Sequence, residues 1–354
     1  MNQQAQTLLH LTLLKGIGPV TVCHLYTQLP SFLQIYEMSV SDLVQAGVLQ
    51  SKAQVIVQGL QDQEIIQKEL ELAYKHGVHI VTLADEQYPE IVRSIDSPPP
   101  VLWWKGTRLD GFEQSLAVVG ARNAHAYAHR SIETIVGPLA AQGWAVVSGG
   151  AVGADTYAHQ IALDAGGVTY SVLGSGLLKP YPSINMGLFD QIVHSGALIS
   201  AFPLQTEPLQ GNFPARNRII AGLARGCLVV QAAQQSGALI TAKYALEYAR
   251  EVFAVPGLIT DQLQVGCHSL IRQGAHITTS DQDILEVFGF ARKVAAMKTA
   301  EALHPLLVHA QKQVSVQELA DVTGWSLETV QTELFTLLIE GKIEQTATGG
   351  WQRI

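Results

Sequence analysis

From Ser115 onward the chain alternates short apolar runs with helical stretches, and this alternation limits the possible folds more than any other feature. The runs are SLAVVG (115–120), WAVVSGG (144–150), VTYSVLG (168–174), ALISAF (197–202), CLVVQAA (227–233) and EVFAVPG (251–257), with HITT (276–279) as a further short candidate. Helical stretches such as AYAHRSIETIVGPLAAQG (126–143) and SGALITAKYALEYAR (236–250) separate them. Continuous Val/Ile/Leu runs are strands buried on both faces, and parallel neighbours need a crossover of helical length. The expected fold class is α/β, with a doubly wound, Rossmann-like parallel sheet.

The flanks read differently. Residues 1–75 carry apolar positions at helical spacing: TLLHLTLL (7–14), the turn KGIGPV (15–20), VTVCHLYTQL (20–29), SVSDLVQAG (39–47) and one longer stretch that begins at 49 and runs to 77, with Ser39 and Ser41 as caps. The turn has the form of a helix-hairpin-helix hairpin, although Gly-Ile-Gly between two helices is also an ordinary connection. A linker is expected at 85–108, where Pro98, Pro99 and Pro100 forbid helix and favour an extended path. Residues 291–300 read as a second linker. The last piece spaces its helices as a helix–turn–helix and ends in a hairpin with a Gly-Gly turn, a winged-helix pattern. The resulting division is a small helical domain at 1–80, a Rossmann-like domain at 81–290 and a winged-helix domain at 300–354.

Composition excludes several classes. Neither a membrane span nor a signal peptide is read, since no run of 18 apolar residues occurs and the N-terminus has no basic region. Cys23, Cys227 and Cys267 are widely spaced, which suits a reducing cytoplasm and small buried hydrophobes rather than a zinc site. His125, His129, His159, His194, His268 and His276 are scattered without metal-binding spacing, and no Gly-x-Ser-x-Gly elbow occurs. No cofactor or metal is expected.

A formal net charge of −8 argues against a broad surface that coats nucleic acid, yet the charge is uneven. From Pro208 to Leu246 there is no Asp or Glu, while Arg216, Arg218, Arg225 and Lys243 fall inside. The expectation is a local basic pocket. In an open parallel sheet ligands bind beyond the carboxyl ends of the strands, and here those ends carry Gly120, the Ser148-Gly149-Gly150 run, Gly174 with Gly176, and Gly257. VVGARN (118–123) lacks the dinucleotide fingerprint, no acidic residue closes the second strand, and in place of a ribose-binding carboxylate Arg122 stands directly behind the first, which favours a phosphate or an oligonucleotide over NAD. SGGAVGAD (148–155) resembles a glycine nest, with Asp155 as a first-turn cap or dipole partner. FPARNRIIAGLA (213–224) is the sharpest signal. Pro214 suits a first helical turn, which places Arg216, Asn217 and Arg218 in the opening turn with the two arginines about 200° apart, so that one faces a ligand and the other braces the loop. Phe213 reads either as a stacking platform for a base or as a hydrophobic staple. Ser236 and Gly237, with Thr241, open another helix at a strand end, as a cap or as donors to a ligand.

Taken together, these segments resemble the DNA-processing protein A (DprA/Smf) family. The resemblance is carried in order by YPEIVRSIDSPPPVLWWKG, VVGARN, VVSGGAVGADTYAHQIAL, VLGSGLLKPYPSIN, FPARNRIIAGLA, SGALITAKYALEYAR, VFAVPG and GCHSLIRQGA, over most of residues 87–275. It implies a non-enzymatic protein that binds single-stranded DNA in natural transformation, protects it, loads the RecA recombinase onto it, and forms a homodimer through the Rossmann-like domain. It also implies a DNA pocket of Arg122, Phe213, Arg216, Asn217 and Arg218, with backbone and hydroxyl contacts from Ser148, Gly149, Gly150, Ser236 and Gly237. Leu178, Ala201 and His268 depart from the family pattern, and Gln210 stands in a loop where a lysine would strengthen phosphate binding.

Two rivals come from other classes. A nucleotide phosphoribohydrolase of the lysine-decarboxylase-like type shares such a sheet, but its Pro-Gly-Gly-x-Gly-Thr stretch is missing and FAVPGLITD stands in its place. A transcription regulator would read duplex DNA through the C-terminal winged helix. Its recognition stretch, however, carries Glu328, Glu333 and Glu340 and neither Lys nor Arg, which fits protein contact better.

Overall fold

The computed structural model describes residues 1–29, 31–290, 305–310, 313–339, 342–346 and 350–353, so the expected linker at 291–300 lies outside the described residues. The chain divides into two compact units, 1–292 and 293–354.

The first unit opens with five helices, α1 (Gln3–Leu13), α2 (Pro19–Gln28), α3 (Val40–Gln45), α4 (Gln50–Gly59) and α5 (Glu64–His76). Local chemistry sets their ends. Asn2 accepts the Ala5 N–H at 2.8 Å at the head of α1, and Pro19, which has no N–H to leave unpaired, opens α2. Ser39 forms a capping box with Asp42 at α3, whereas Ser41 lies inside that helix and is not a cap. The single stretch expected at 49–77 is two helices. The Gly59 carbonyl at the end of α4 meets Nε2 of buried His10 at 3.1 Å, and Asp62 accepts the Glu64 N–H at 3.1 Å, so the break is held by side chains.

The stretch at 85–108 is not a linker. It holds α6 (Glu90–Arg93) and β2 (Val101–Gly106), and β2 pairs antiparallel with β1 (His79–Thr82). The prolines do exclude helix, but the extended chain that follows them buries Leu102 and Trp103 completely, and that burial makes it a strand. The Pro100 carbonyl accepts the Leu83 N–H at 3.1 Å and extends the pairing by one bond.

Strands and helices then alternate: β3 (Ser115–Val119), α7 (Ala126–Ala141), β4 (Ala145–Ser148), α8 (Ala154–Asp164), β5 (Thr169–Val172), α9 (Met186–Ser195), β6 (Ala197–Ser200), α10 (Asn212–Gly222), β7 (Gly226–Val229), α11 (Gly237–Glu247), β8 (Glu251–Ala254), α12 (Val265–Arg272), β9 (His276–Ile277) and α13 (Asp281–Val287). The sheet has nine strands in the order β1-β2-β6-β5-β4-β3-β7-β8-β9. Strands β3 to β9 run parallel to one another, and β2 joins β6 antiparallel, which adds a two-stranded antiparallel margin to the Rossmann-like sheet. Alternate residues of β3 serve opposite faces. Leu116 and Val118 pack with Ile132 and Ile135 of α7, and Ala117 and Val119 belong to the core that holds Ile219 and Ile220 of α10. Leu8 and Ile56 of the N-terminal helices belong to that second core as well.

The second unit contains α14 (Pro305–His309), α15 (Val316–Thr323), α16 (Leu327–Ile339) and the antiparallel pair β10 (Ile343–Gln345) and β11 (Trp351–Arg353). Its core includes Leu306, Leu319, Val330, Leu334, Ile343 and Trp351. Ser315 caps α15 in a box with Glu318. Gly349 of the expected Gly-Gly turn lies outside the described residues. Among the described residues no helix is long and apolar enough to cross a membrane.

Candidate nucleic-acid interface

The order of the strands places a crevice. From β3 the chain winds outward through β4 and β5 to β6, then returns to lay β7 on the other side of β3. Loops after β3 and β7 therefore part in opposite directions, the point at which open α/β sheets bind ligands. A cavity of about 400 Å³ lies there, walled by Gly120–Asn123 after β3, by Phe213, Arg216 and Asn217 of α10, and by Gln235–Ala238 at the head of α11.

Helix α10 starts at Asn212, earlier than Pro214 alone predicts. Phe213 is thus inside the helix rather than a staple before it, and Arg216, Asn217 and Arg218 fall in its second turn. Arg216 and Arg218 do part company, but neither meets the cavity as a free cation. Arg216 is only 5% exposed, and its Nη1 donates to the carbonyls of Gly149 and Val172 at 2.5 Å each. Its Nε donates to Asn217 Oδ1 at 3.1 Å, and Asn217 Nδ2 donates to the Gly237 carbonyl at 3.3 Å. Arg216 therefore pins the ends of β4 and β5 to α10, and Asn217 carries the pin on to α11. Burial lowers the guanidinium pKa to about 10, with the field of Asp155 opposing the shift. Arg218 lies on the other flank of α10, where its Nη1 donates to the carbonyls of Ser97 at 2.6 Å and Asp96 at 3.3 Å. It borders a separate small cavity beside Pro99 and Pro100. The expected rim of several arginines is corrected accordingly.

The glycine nest is filled from within. Asp155 Oδ2 accepts the N–H groups of Gly149 at 3.2 Å and Ala151 at 3.3 Å. Burial raises the pKa of its carboxyl, while Arg216 and these N–H groups oppose the shift. Ser148 is fully buried and its hydroxyl donates to the Val118 carbonyl at 2.6 Å, and the Gly150 carbonyl accepts from Asn185 Nδ2 at 2.9 Å. The expected ligand contacts from Ser148, Gly149 and Gly150 are thus replaced by internal ones. Glycine is needed at 149 for another reason: a Cβ there would meet Arg216 Nη1 at 2.3 Å.

What remains open to a ligand is smaller and more aromatic. Arg122 is exposed, and among the described residues no carboxylate lies within salt-bridge distance of it. Its guanidinium sits 5.6 Å from the centre of the Phe213 ring, with that of Arg216 at 5.9 Å. Phe213 rests on Gly174, where an added Cβ would approach Phe213 Cδ1 to 2.8 Å. Ser236 caps α11 by accepting the Ala238 N–H at 3.2 Å, and Gly237 is exposed beside it at the cavity wall, where the first N–H groups of the helix lie. Of the two alternatives for Ser236, the structure shows the cap, and it places that cap at the cavity wall.

Sequence reasoning missed Gln235, exposed on the α11 wall, and Tyr181, whose ring lies 6.0 Å from Phe213. An aromatic residue soon after the strand VTYSV was the available signal. Of the departures from the family pattern, His268 engages the Gly257 carbonyl through Nε2 at 3.1 Å, and Gln210 is exposed. Among the described residues no group of His, Cys, Asp or Glu could hold a metal ion.

The profile of the family DNA recombination-mediator protein A matches residues 79–289. Protein Smf of Synechocystis is 42% identical over 225 residues, which is 62% of this chain and 56% of that protein. The X-ray structure of DNA processing protein A from Streptococcus pneumoniae superposes with a TM-score of 0.64 at 34% identity, covering 76% of this chain and 98% of that one. A structure of DNA processing protein A from Helicobacter pylori, described for its single-stranded DNA binding mode, gives a TM-score of 0.53 at 27% identity over 59% of this chain and 95% of that one.

Proposed function

Because the chain belongs to the DNA recombination-mediator protein A family, we propose that it is a DNA-processing protein of natural transformation that binds single-stranded DNA in the crevice between β3 and β7. The observation that carries this reading is the pairing of exposed, unpaired Arg122 with the half-buried ring of Phe213, on a wall whose sequence holds no carboxylate from Pro208 to Leu246. A cation for a phosphate beside a face for a base is the minimum apparatus for holding a single strand without reading its sequence. The likeness to the Helicobacter pylori protein, whose structure was described for that binding mode, supports the same reading.

Protection of the strand and loading of RecA follow from family membership and belong to the same proposal, as do a homodimer and a cytoplasmic setting. Two pockets on one strand would raise avidity without any new contact. We read the protein as a binding protein rather than an enzyme. We also read three domains, 1–80, 81–290 and 300–354, the last as a winged helix on the evidence of its helix–helix–helix–hairpin order. Gly237 and Ser236 would present the head of α11 to a phosphate.

Fluorescence anisotropy with labelled oligo-dT against a duplex of equal length tests the reading. The expected result is a preference for the single strand that Arg122→Ala and Phe213→Ala each reduce. Equal binding by parent and both variants would move the site elsewhere.

A further inference from the structure

Beyond the crevice, a second and smaller hollow of about 90 Å³ lies on the far side of Phe213. Arg122, Ala151, Phe213 and Arg216 line both hollows, and the exposed Arg122 and half-buried Phe213 form the ridge between them. The second is completed by Val152, Tyr181 and Pro182. The Tyr181 ring is tilted 57° to that of Phe213 and is 47% exposed, and Ile184 and Met186, which follow it in sequence, are 79% and 41% exposed.

Resting on the reading of the crevice given above, we infer that the strand leaves it over the Arg122–Phe213 ridge towards Tyr181, which forms a second platform for the next base. Three observations favour this direction. First, the platform is continuous with the crevice through four shared lining residues. Second, there is no Asp or Glu between Asp164 and Asp190, the segment that supplies this wall, and its one cation is Lys179. Phosphates passing there meet no fixed negative charge from that segment. Lys179 is held at 2.9 Å by Glu207 of the opposite loop, with both groups well exposed, so it can exchange that partner for a phosphate. Third, the rim on the β8 side is less suited to a polyanion, since it presents Asp261, 3.0 Å from His125 Nε2. A contiguous exposed aromatic and aliphatic patch marks an interaction surface, and the faces of unpaired bases are of matching character.

The test uses the full chain, fluorescence anisotropy and a 15-nucleotide oligo-dT, alongside the same strand made abasic. Tyr181→Ala should weaken binding of oligo-dT about ten-fold, within the range for loss of one stacked base. The dependence on salt should not change, because no phosphate contact is removed. Tyr181→Trp should restore affinity, and Tyr181→Leu, which keeps apolar bulk without a ring, should behave as Ala. The abasic strand should not distinguish Tyr181→Ala from the parent. Wild-type affinity in Tyr181→Ala, or an equal loss with the abasic strand, would overturn the second platform. If Arg122→Ala still loses binding in that case, the crevice stands and only the path is wrong. If Arg122→Ala also binds like the parent, the crevice itself is wrong.

Discussion

Asp155 and Arg216 hold the same residue from opposite sides. The Gly149 N–H donates to Asp155 Oδ2 at 3.2 Å, and the Gly149 carbonyl accepts from Arg216 Nη1 at 2.5 Å. A buried anion and a buried cation thereby clamp the turn that closes β4, directly beneath the crevice. Both charges are built into the floor of the crevice.

Arg216→Ala should therefore act first on stability. Loss of the guanidinium leaves the buried carbonyls of Gly149 and Val172 without their donor and the buried Asp155 without an opposing charge, at a cost of about 3–5 kcal/mol. Urea denaturation should show this loss, and Asp155→Asn combined with Arg216→Ala should cost less than the sum of the two single changes. A stable Arg216→Ala protein that had lost only DNA binding would contradict the clamp.

Arg122→Ala and Phe213→Ala should separate the two parts of the grip. Loss of one phosphate contact lowers the slope of log affinity against log salt by about 0.7 for a single strand, whereas loss of a stacked base costs about 1–3 kcal/mol with the slope unchanged. Arg122 is exposed and Phe213 only half-buried, so Arg122→Ala in particular should unfold in urea like the parent. Salt titrations of the two variants check the division.

His159 should make the protein acid-sensitive. Its imidazole is fully buried, with Nδ1 at 2.7 Å from Thr169 Oγ1, and burial, reinforced by the field of Arg216, lowers its pKa to about 3. The unfolded chain would protonate near the ordinary value of about 6.5, so it binds the extra proton and the folded state does not. Stability contributed by the neutral ring is present above pH 6.5 and drains away as pH falls towards 3, by about 1.4 kcal/mol per pH unit. Urea midpoints between pH 7 and 4 should fall less steeply for His159→Leu than for the parent.

Glu69 works with the opposite sign. Its buried carboxylate accepts the Leu204 N–H at 2.8 Å and joins α5 to the chain after β6, and burial raises its pKa above the ordinary value of 4.5. The folded state holds the proton more tightly, so this group's contribution is greatest below pH 4.5 and is lost as pH rises through the raised value. Glu69→Gln keeps an acceptor for Leu204 without the charge. Its melting temperature relative to the parent should rise from acid to neutral pH, and a constant difference would count against the buried-carboxylate account.

The sequence by itself determined the parallel sheet, because a strand buried on both faces must be apolar along its whole length, and that signature survives in one dimension. It likewise pointed to the strand ends and to Arg122 and Phe213, which the fold brings to one crevice, since a loop carrying Arg directly after a strand and an aromatic residue beside an acid-free turn are local patterns. The stretch at 85–108 was misjudged for the same reason: Pro98 to Pro100 announce extended chain, but only the partners β1 and β6 make such a chain a strand. Tertiary structure alone decided which arginines serve the surface. Arg216 and Arg218 stand two residues apart on one helix, and what separates a clamp from a rim is whether the carbonyls of Gly149 and Val172, distant in sequence, come within reach of the guanidinium. A charged side chain carries no mark of its own burial; the desolvation it suffers and the acceptors that offset it come from elements that only folding brings together.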